Sequence, residues 1–424
     1  MIDYRSFRTV LADAHGPAGL AVRHELFAHA ITPTGWRSKP AQSLRTFLVM
    51  LRDLFRLLRV QPAARIPAGH YVAAVSLPGA SGWGTLRETI TALGNAGSDV
   101  TLVLHPRLAA LPGYAGPLAR PSLRSPRKIL AAIRAGLRHR GRRTDGLSIW
   151  AVRLAVIRLE LWRAAWRDLL GSGKPVLLHN DFDVFSTAAI GAGRRSLCLQ
   201  HGLPTDEFFP CQADAQIVWS DACAAAYAAQ GCAPPSLHIR RFRTRTSPHT
   251  RIAMAAPAGI ALLSQTHATA ILPDIAERLG SLASNLHNTE IPIQILLHPE
   301  EVRTGHPYPE HLRPLLSKPP HALSTGDSKP WLVVGLLSTA LLEMAERGHY
   351  VAGLDDTING QEAAAAVGRP PVQVTDSAGI EALFHALAVP AAQSAMREEL
   401  VSWLNRVFAQ TSHPLAASLL AEDL

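Results

Sequence analysis

The sequence predicts an α/β protein of two domains, each a parallel sheet with helices on both faces. Three observations lead there. Short apolar runs alternate with helical patterns of about 10–15 residues, as expected when crossover helices join parallel strands. The 424 residues exceed what one core needs and fit two or three domains. The charge also changes sign along the chain. Residues 1–250 carry 32 Lys/Arg against 15 Asp/Glu, a net of +17, and residues 251–424 carry 10 against 18, a net of −8. The change falls in or near 238–259, a stretch rich in Arg, Thr and Pro, so the domains are read as 1–245 and 246–395, followed by a terminal segment, 396–424.

The elements follow in order. YVAAVSLPG (71–79) has a buried-strand pattern, LRETITALGNAGSD (86–99) has helical spacing, and VTLVLHP (100–106) is the next strand. Residues 146–170 place Arg153, Arg158, Arg163 and Arg167 at helical intervals among Leu, Ile and Trp, which predicts an amphipathic helix. PVLLH (175–179) is a strand, STAAIGAGRR (186–195) a helix, and SLCLQ (196–200) and AQIVWS (215–220) are strands. The second half repeats the alternation. GIALLS (259–264) precedes a helix over about 270–286. IPIQILLHP (291–299), WLVVGLL (331–337), the helix STALLEMAERG and YVAGL (350–354) complete it.

Composition excludes several classes. Apolar residues at 47% and charged residues at 18% describe a globular chain. The apolar runs fall short of the ~20 residues that a bilayer span requires. The N-terminus carries Asp3, Arg5, Arg8 and Asp13 where a signal peptide would be apolar, which points to the cytoplasm. Four cysteines without a CxxC spacing make neither a disulfide scaffold nor a zinc site, so no metal is expected. The net charge of +9 is almost all arginine, 37 of 42 basic residues.

Ligands of open parallel sheets bind at the carboxyl ends of the strands. Four such ends are chemically unusual. HNDFD (179–183) offers Asn180, Asp181 and Asp183, and QHG offers Gln200, His201 and Gly202. HPEE (298–301) offers His298 and Pro299, and LSTALLE (337–343) offers Ser338, Thr339 and Glu343; Ser264 ends GIALLS. Each admits a chemical and a structural role. Asp181 or Asp183 is a base, a nucleophile or a helix cap; His201 is a general base or a turn histidine. Ser338 and Thr339 either offer hydroxyls and helix-terminal amides to a phosphate, or Ser338 is an N-cap. The pieces GSG (171–173) and GWG (82–84) are too short for a dinucleotide fingerprint. His298, His306, His311 and His321 lack metal-ligand spacing and read as solvated loop.

The order of these motifs is more informative than any one of them. The stretch 175–231, with its Asn-Asp pair, Gln-His-Gly and Trp-Ser, resembles the middle of bacterial surface-polysaccharide glycosyltransferases of the GT-B fold. ILLHP and LLSTALLEMAERGHYVAGL resemble the HP and Ser/Thr donor motifs of bacterial Kdo transferases and sialyltransferases. The resemblance spans about 175–355 and implies two Rossmann-like domains facing across a cleft, no bound metal and no cofactor. It implies a CMP-linked donor held by His298, Pro299, Ser338, Thr339 and Glu343, with Kdo favoured, and a glycan or lipid-linked glycan acceptor. Asp181, His201 and Asp183 would be catalytic, with Asn180, Gln200, Gly202 and Ser264 elsewhere in the cleft. The segment 396–424 would pack back on the first domain. Asp355-Asp356 followed by Thr departs from the acidic triplet of sialyltransferases, which argues against sialic acid.

Three rivals remain. A CDP-polyol phosphotransferase of the teichoic-acid type resembles the same fold and would rank His201 above Asp181. A nucleotide-sugar 2-epimerase shares the fold. A non-catalytic nucleic-acid-binding protein would suit the pI near 9.8, but the 25 aromatics are not interleaved with the basic clusters. Two basic stretches also admit an anionic membrane surface as partner, on the inner face of the cytoplasmic membrane. Residues 120–143 hold nine Lys/Arg and no acid, and 43–60 set Arg45, Arg52, Arg56 and Arg59 on a helix of Leu, Phe, Met and Val. The plain alternatives are a solvated loop for the first and a core helix with an arginine edge for the second.

Overall fold

The structure, a computed structural model, describes residues 4–31, 38–61, 66, 71–77, 80–108, 111, 113–144, 146–171, 174–193, 195–232, 237–238, 254–265, 274–318, 323, 329–355 and 362–408. The chain forms two compact units, the first reaching Phe242 and the second running from Arg243 to Gln410. The predicted division at 245/246 and most of 238–259 lie outside the described residues, as do His321 and Asp356.

In the first unit three helices come first: α1 (Tyr4–Ala21), α2 (Arg23–Ile31) and α3 (Lys39–Arg59). Then follow β1 (Tyr71–Val75), α4 (Thr85–Asn95), β2 (Val100–Leu104), β3 (Leu118–Ala119), α5 (Pro126–Arg138) and α6 (Ile149–Leu170). The rest is β4 (Pro175–Leu178), α7 (Val184–Ala189), β5 (Arg195–Leu199), β6 (Ala215–Ile217), α8 (Asp221–Ala229) and β7 (Leu237–His238). The seven strands are all parallel, in the order β3-β2-β1-β4-β5-β6-β7. Every residue of β1 and β2 is buried, which is why these strands read as continuous apolar runs rather than alternating ones.

The second unit contains β8 (Ile260–Leu263), α9 (Ile275–His287), β9 (Ile293–Leu296), α10 (Pro299–Thr304), β10 (Leu316–Ser317) and β11 (Leu332–Gly335). It continues with α11 (Thr339–Glu346), β12 (Tyr350–Leu354), α12 (Glu362–Gly368), β13 (Gln373–Val374), α13 (Ser377–Ala386) and α14 (Pro390–Val407). Its strands are parallel too, in the order β10-β9-β8-β11-β12-β13. Helix α14 packs on α11, α12 and β12 of this same unit. Of the segment predicted to return to the first domain, 396–407 is therefore part of the second unit's own packing, and 409–424 lies outside the described residues.

Local deviations from the sequence reading have physical causes. The helix expected over 186–195 ends at Ala189, because Gly191 takes a positive φ of 73°. It begins two residues early, because Asp183 caps it by accepting from the Ser186 amide at 2.7 Å. Two of the four cysteines do pair: Cys211 and Cys232 form a disulfide, a single cross-link that CxxC spacing does not reveal. Cys198 and Cys223 are buried thiols.

The helices of the first unit are joined by buried charge. Arg158 of α6 donates to Asp53 of α3 at 2.7 Å and to Glu25 of α2 at 2.7 Å. Trp162 Nε1 donates to the same Asp53 oxygen at 3.0 Å. Burial pushes the Asp53 carboxyl up, but Arg158 and Trp162 together hold it below its ordinary value of 3.8. Asp53→Ala leaves Arg158 with Glu25 alone and the Trp162 indole without its acceptor, so it is expected to cost about 1–3 kcal/mol in urea unfolding. The sign with pH follows from the depressed value. The contribution is full above the ordinary carboxylate range and is lost as pH falls through the lower folded value, so the variant should show a flatter acid limb than the native chain.

Candidate functional site

In the first sheet the connections run outward from β1 on one side to β2 and β3, and on the other side to β4, β5 and β6. The gap between β1 and β4 is therefore a topological switch point, where open α/β sheets bind ligands. The chain places polar residues around it: Ser76 after β1, His105 and Arg107 after β2, His179 to Asp183 after β4, and His201 after β5.

The core of this edge is a fully engaged cluster. The Ser76 hydroxyl donates to Asp183 Oδ2 at 2.5 Å and lies 3.0 Å from His179 Nε2. Asn180 Nδ2 donates to the same Asp183 oxygen at 2.9 Å and to His179 Nδ1 at 3.0 Å. The Ser76 amide also donates to His179 Nε2 at 3.4 Å, so both ring nitrogens face donors, and the serine proton goes to the carboxylate. Serine, histidine and aspartate thus meet without making a nucleophilic triad. There the histidine accepts the serine proton and the aspartate orients the histidine. Here the serine proton belongs to the aspartate, and His179 is 0% exposed. Burial and Asp183 act oppositely on His179, and burial wins, holding its pKa at about 4. For Asp183 burial is outweighed by His179, Ser76, the Ser186 amide and Asn180, so its carboxyl lies below its ordinary value.

Asp181 is a latch. Its Oδ2 accepts from the amides of Gln212 at 2.6 Å and Ala213 at 3.1 Å, and from Gln216 Nε2 at 2.8 Å. Its carbonyl accepts from Thr187 and Gln212 side chains, both at 3.1 Å. The residue ties the end of β4 to the segment that enters β6. Burial pushes its carboxyl up against the pull of Arg23 and these donors.

His201 is different. Gln200 shapes the turn that carries it, with Nε2 donating to the Gly202 carbonyl at 2.9 Å and Oε1 accepting from the Trp219 amide at 3.0 Å. The half-buried His201 ring tilts against Phe208 at 5.0 Å and meets His179 edge-on at 5.9 Å. Burial first and His179 second push its pKa down to about 3, against the opposing pull of the His179 backbone and Asp183. A small enclosed void lies among His179, Asn180, Phe182, His201, Phe208 and Tyr227. Arg23, 0% exposed, donates to the carbonyls of Glu207 at 3.2 Å and Pro210 at 3.1 Å, and so braces the loop that carries Phe208.

Arg107 completes the rim. Its Nη2 donates to the Ser76 carbonyl at 2.7 Å, and the guanidinium is exposed and electrostatically attracted to Asp183.

The second sheet has its own switch point between β8 and β11, flanked by Ser264 and Ser338. Ser264 donates to buried Glu301 at 2.7 Å and accepts from Tyr308 at 2.8 Å. The other Glu301 oxygen accepts from the His298 amide at 2.7 Å, which fixes the HP turn. His298 and Pro299 are exposed. Ser338 is the N-cap of α11, accepting from the Ala340 amide at 3.2 Å, with Thr339 half-buried beside it. Glu343, one turn on, lies 4.0 Å from Arg347.

Apart from Glu343, which lies within α11, the candidate site residues sit at or just after carboxyl strand ends, in two groups, one in each unit. The sequence reading missed Ser76, His179, Arg107, Phe208 and Glu301. The strand end HP at 105–106 was the available signal for the β2 corner, and the acidic pair after His298 was the signal for Glu301. Among the described residues no group of three or more His, Cys, Asp or Glu is placed to hold a metal ion.

No family model and no curated protein matches the chain. Among solved structures it is similar to the apo form of the lipopolysaccharide outer core galactosyltransferase WaaB, at 12% identity over 83% of this chain and 99% of that chain, with a TM-score of 0.46. It is similar to CalG4, the calicheamicin glycosyltransferase, at 11% identity over 84% and 98%, with a TM-score of 0.42. A third is the glycotransferase of kitacinnamycin, at 16% identity over 84% and 100%, with a TM-score of 0.41. Likenesses this distant assign no activity.

Two outcomes test this geometry. Unfolded histidine titrates near 6.5. Between that value and about 4 the unfolded chain binds protons that buried His105 and His179 refuse. Stability should therefore fall as pH drops through this window, and a melting temperature equal at pH 7 and pH 5 would contradict it. Asp181→Ala leaves buried amides unpaired at about 1–3 kcal/mol each, so it should lower the melting temperature and speed hydrogen exchange at 212–216.

Proposed function

We propose that the chain is a glycosyltransferase that moves a sugar from a nucleotide-linked donor to a glycan acceptor, with His201 as general base. One observation carries the choice of base. His201 is a half-buried imidazole held neutral at the carboxyl edge of a parallel sheet, whereas Oδ2 of Asp181 is engaged by three donors from its own chain.

In this reading the acceptor hydroxyl oxygen bonds to the anomeric carbon as the bond from that carbon to the phosphate oxygen breaks. The electron pair leaves on the phosphate, and the acceptor proton passes to His201. A single displacement of this kind inverts the anomeric centre. Approach of an anionic donor favours the protonated ring and lifts its pKa toward the working range. Arg107 supplies a fixed cation at the same edge for an anionic acceptor or donor group. In the second unit Ser338, Thr339 and the first amides of α11 would meet the leaving phosphate, with the helix dipole in their favour. His298 would stand on the turn that Glu301 holds.

The finer reading is a CMP-linked acidic sugar such as Kdo, transferred to a lipopolysaccharide or surface-polysaccharide acceptor. It is supported by the order of the HP and Ser/Thr motifs and by their place at the ends of β9 and β11. A second reading, a CDP-polyol phosphotransferase of teichoic-acid type, gains from the same observation that promotes His201 over Asp181, since it expects an HG histidine as base.

The first test is a melting-temperature panel of CMP, CDP, UDP, GDP and dTDP, since a ligand that binds only the folded state raises the midpoint. Donor turnover then separates sugar from polyol phosphate by what is transferred. His201→Ala is expected to lower kcat/KM by about 10²- to 10⁴-fold with the melting temperature little changed. Ser338→Ala should act mainly through the donor KM. Full activity of His201→Ala would remove the proposed base, and no stabilisation by any nucleotide would remove the transferase reading.

A further inference from the structure

Helix α3 is turned the unexpected way round. The face it buries is mixed, with Gln42, Thr46 and Asp53 alongside Met50 and Leu57. Gln42 bonds to the Gly146 carbonyl at 2.7 Å and to the Ser148 amide at 2.9 Å, Thr46 meets His29 at 2.9 Å, and Asp53 holds Arg158. Its large apolar residues point out instead: Leu44 is 52% exposed, Phe47 40%, Leu48 54% and Phe55 58%. At about 100° per residue they form one stripe about 100° wide. Arg45, Arg52 and Arg59 recur at sevenfold spacing along one border of that stripe.

Helix α5, packed on the same α6, repeats the arrangement. It buries Ala132 and Gly136, and Gly136 lies where a Cβ would collide with Ile157 of α6. It exposes Leu130 at 46% and Leu137 at 47%, with Arg127, Arg134 and Arg138 on the adjoining face. The two helices meet end to end: the Leu123 amide, just before α5, donates to the Leu57 carbonyl at 3.1 Å, and Arg124 donates to the Val60 carbonyl at 3.2 Å. The one acid of α3 is buried and 120–143 has none, so the exposed charges of these two segments are all positive, with Asp168 of the neighbouring α6 paired to Lys128.

We propose that α3 and α5 form a docking surface for an anionic lipid bilayer, with Leu44, Phe47, Leu48 and Phe55 entering the headgroup layer and the arginines pairing with lipid phosphates. An apolar stripe edged by arginine matches the depth profile of such a surface, with hydrocarbon beneath a layer of negative charge. A second copy of this chain would bring the same positive border against itself, which disfavours a dimer through this face. The attachment lies on the surface, since among the described residues no helix is long and apolar enough to cross a membrane. The inference is independent of the sugar-transfer reading, and its test needs no substrate.

The experiment is flotation of the full chain with vesicles of phosphatidylglycerol and phosphatidylcholine in equal parts, against phosphatidylcholine alone, at low and high salt. The expected result is at least about tenfold enrichment on the anionic vesicles, weakened by salt. The triple variant Phe47→Ser, Leu48→Ser, Phe55→Ser should lose about tenfold or more with its melting temperature unchanged, because these side chains are exposed. Replacing Arg45, Arg52 and Arg59 by Gln should remove the salt-sensitive part, at about fivefold per arginine. Three outcomes overturn the proposal: no enrichment on anionic vesicles; enrichment unaffected by the apolar variant, which means a polyanion site; or absent flotation together with a dimer that the apolar variant dissociates, which assigns the face to a second copy.

Discussion

The first unit is organised by the need to satisfy one half-buried carboxylate, that of Asp183. It sits where the chain changes direction across the sheet, so it must be paired from both sides of the gap. Ser76 supplies a donor from the end of β1, while Asn180 and the α7 amide of Ser186 supply donors from the β4 side. These bonds extend the pairing of β1 and β4 beyond its last ladder pair, Ala74 with Leu178. They also surround His179: the Ser76 amide and hydroxyl meet its Nε2, and Asn180 meets its Nδ1. His201, on the adjacent strand end, stands edge-on to this held ring.

Burial does different work on the carboxylates and imidazoles of this edge. Asp181 and Asp183 are two residues apart in sequence and equally acidic by type. The Asp183 carboxyl is held below its ordinary value by its partners, and the Asp181 carboxyl is pushed above it by burial. The imidazoles of His105, His179 and His201 are all pushed toward neutrality. Proximity in the sequence therefore says little about which acid is available for chemistry, whereas the census of donors around each one does.

Much of the fold was legible because it is written in patterns of short range. Continuous apolar runs such as VTLVL and IALL, buried on both faces, are the direct trace of parallel strands, and the glycines and caps between them mark the turns. The residues at the strand ends were legible for the same reason: HNDFD, QHG, HPEE and LST interrupt apolar runs with groups that a core does not tolerate. What the sequence did not reveal depends on contacts between distant positions. Ser76 reads as an ordinary serine after a strand until His179 and Asp183, more than a hundred residues on, arrive beside it. The pairing of Cys211 with Cys232 has no spacing signature. Asp181 reads from sequence as a base, a nucleophile or a cap, and its three donors, from 212, 213 and 216, come from a segment whose approach no local pattern predicts.

The same long-range logic accounts for the exposed stripe of α3. A helix with four large apolar residues along one side would ordinarily turn that side to the core. Here the opposite face carries Gln42, Thr46 and Asp53, and each has a partner in the first unit that would be stranded if the helix rotated. Rotation would strip Arg158 of one of its two carboxylate partners and Trp162 of its acceptor, a penalty that opposes the gain from burying the outward leucines and phenylalanines at the edge of a core. The buried ion pair thus fixes the rotation of the helix rather than merely adding stability, and the outward leucines and phenylalanines are its consequence. Exposed apolar area of this kind is costly in water and persists where something other than water is meant to meet it.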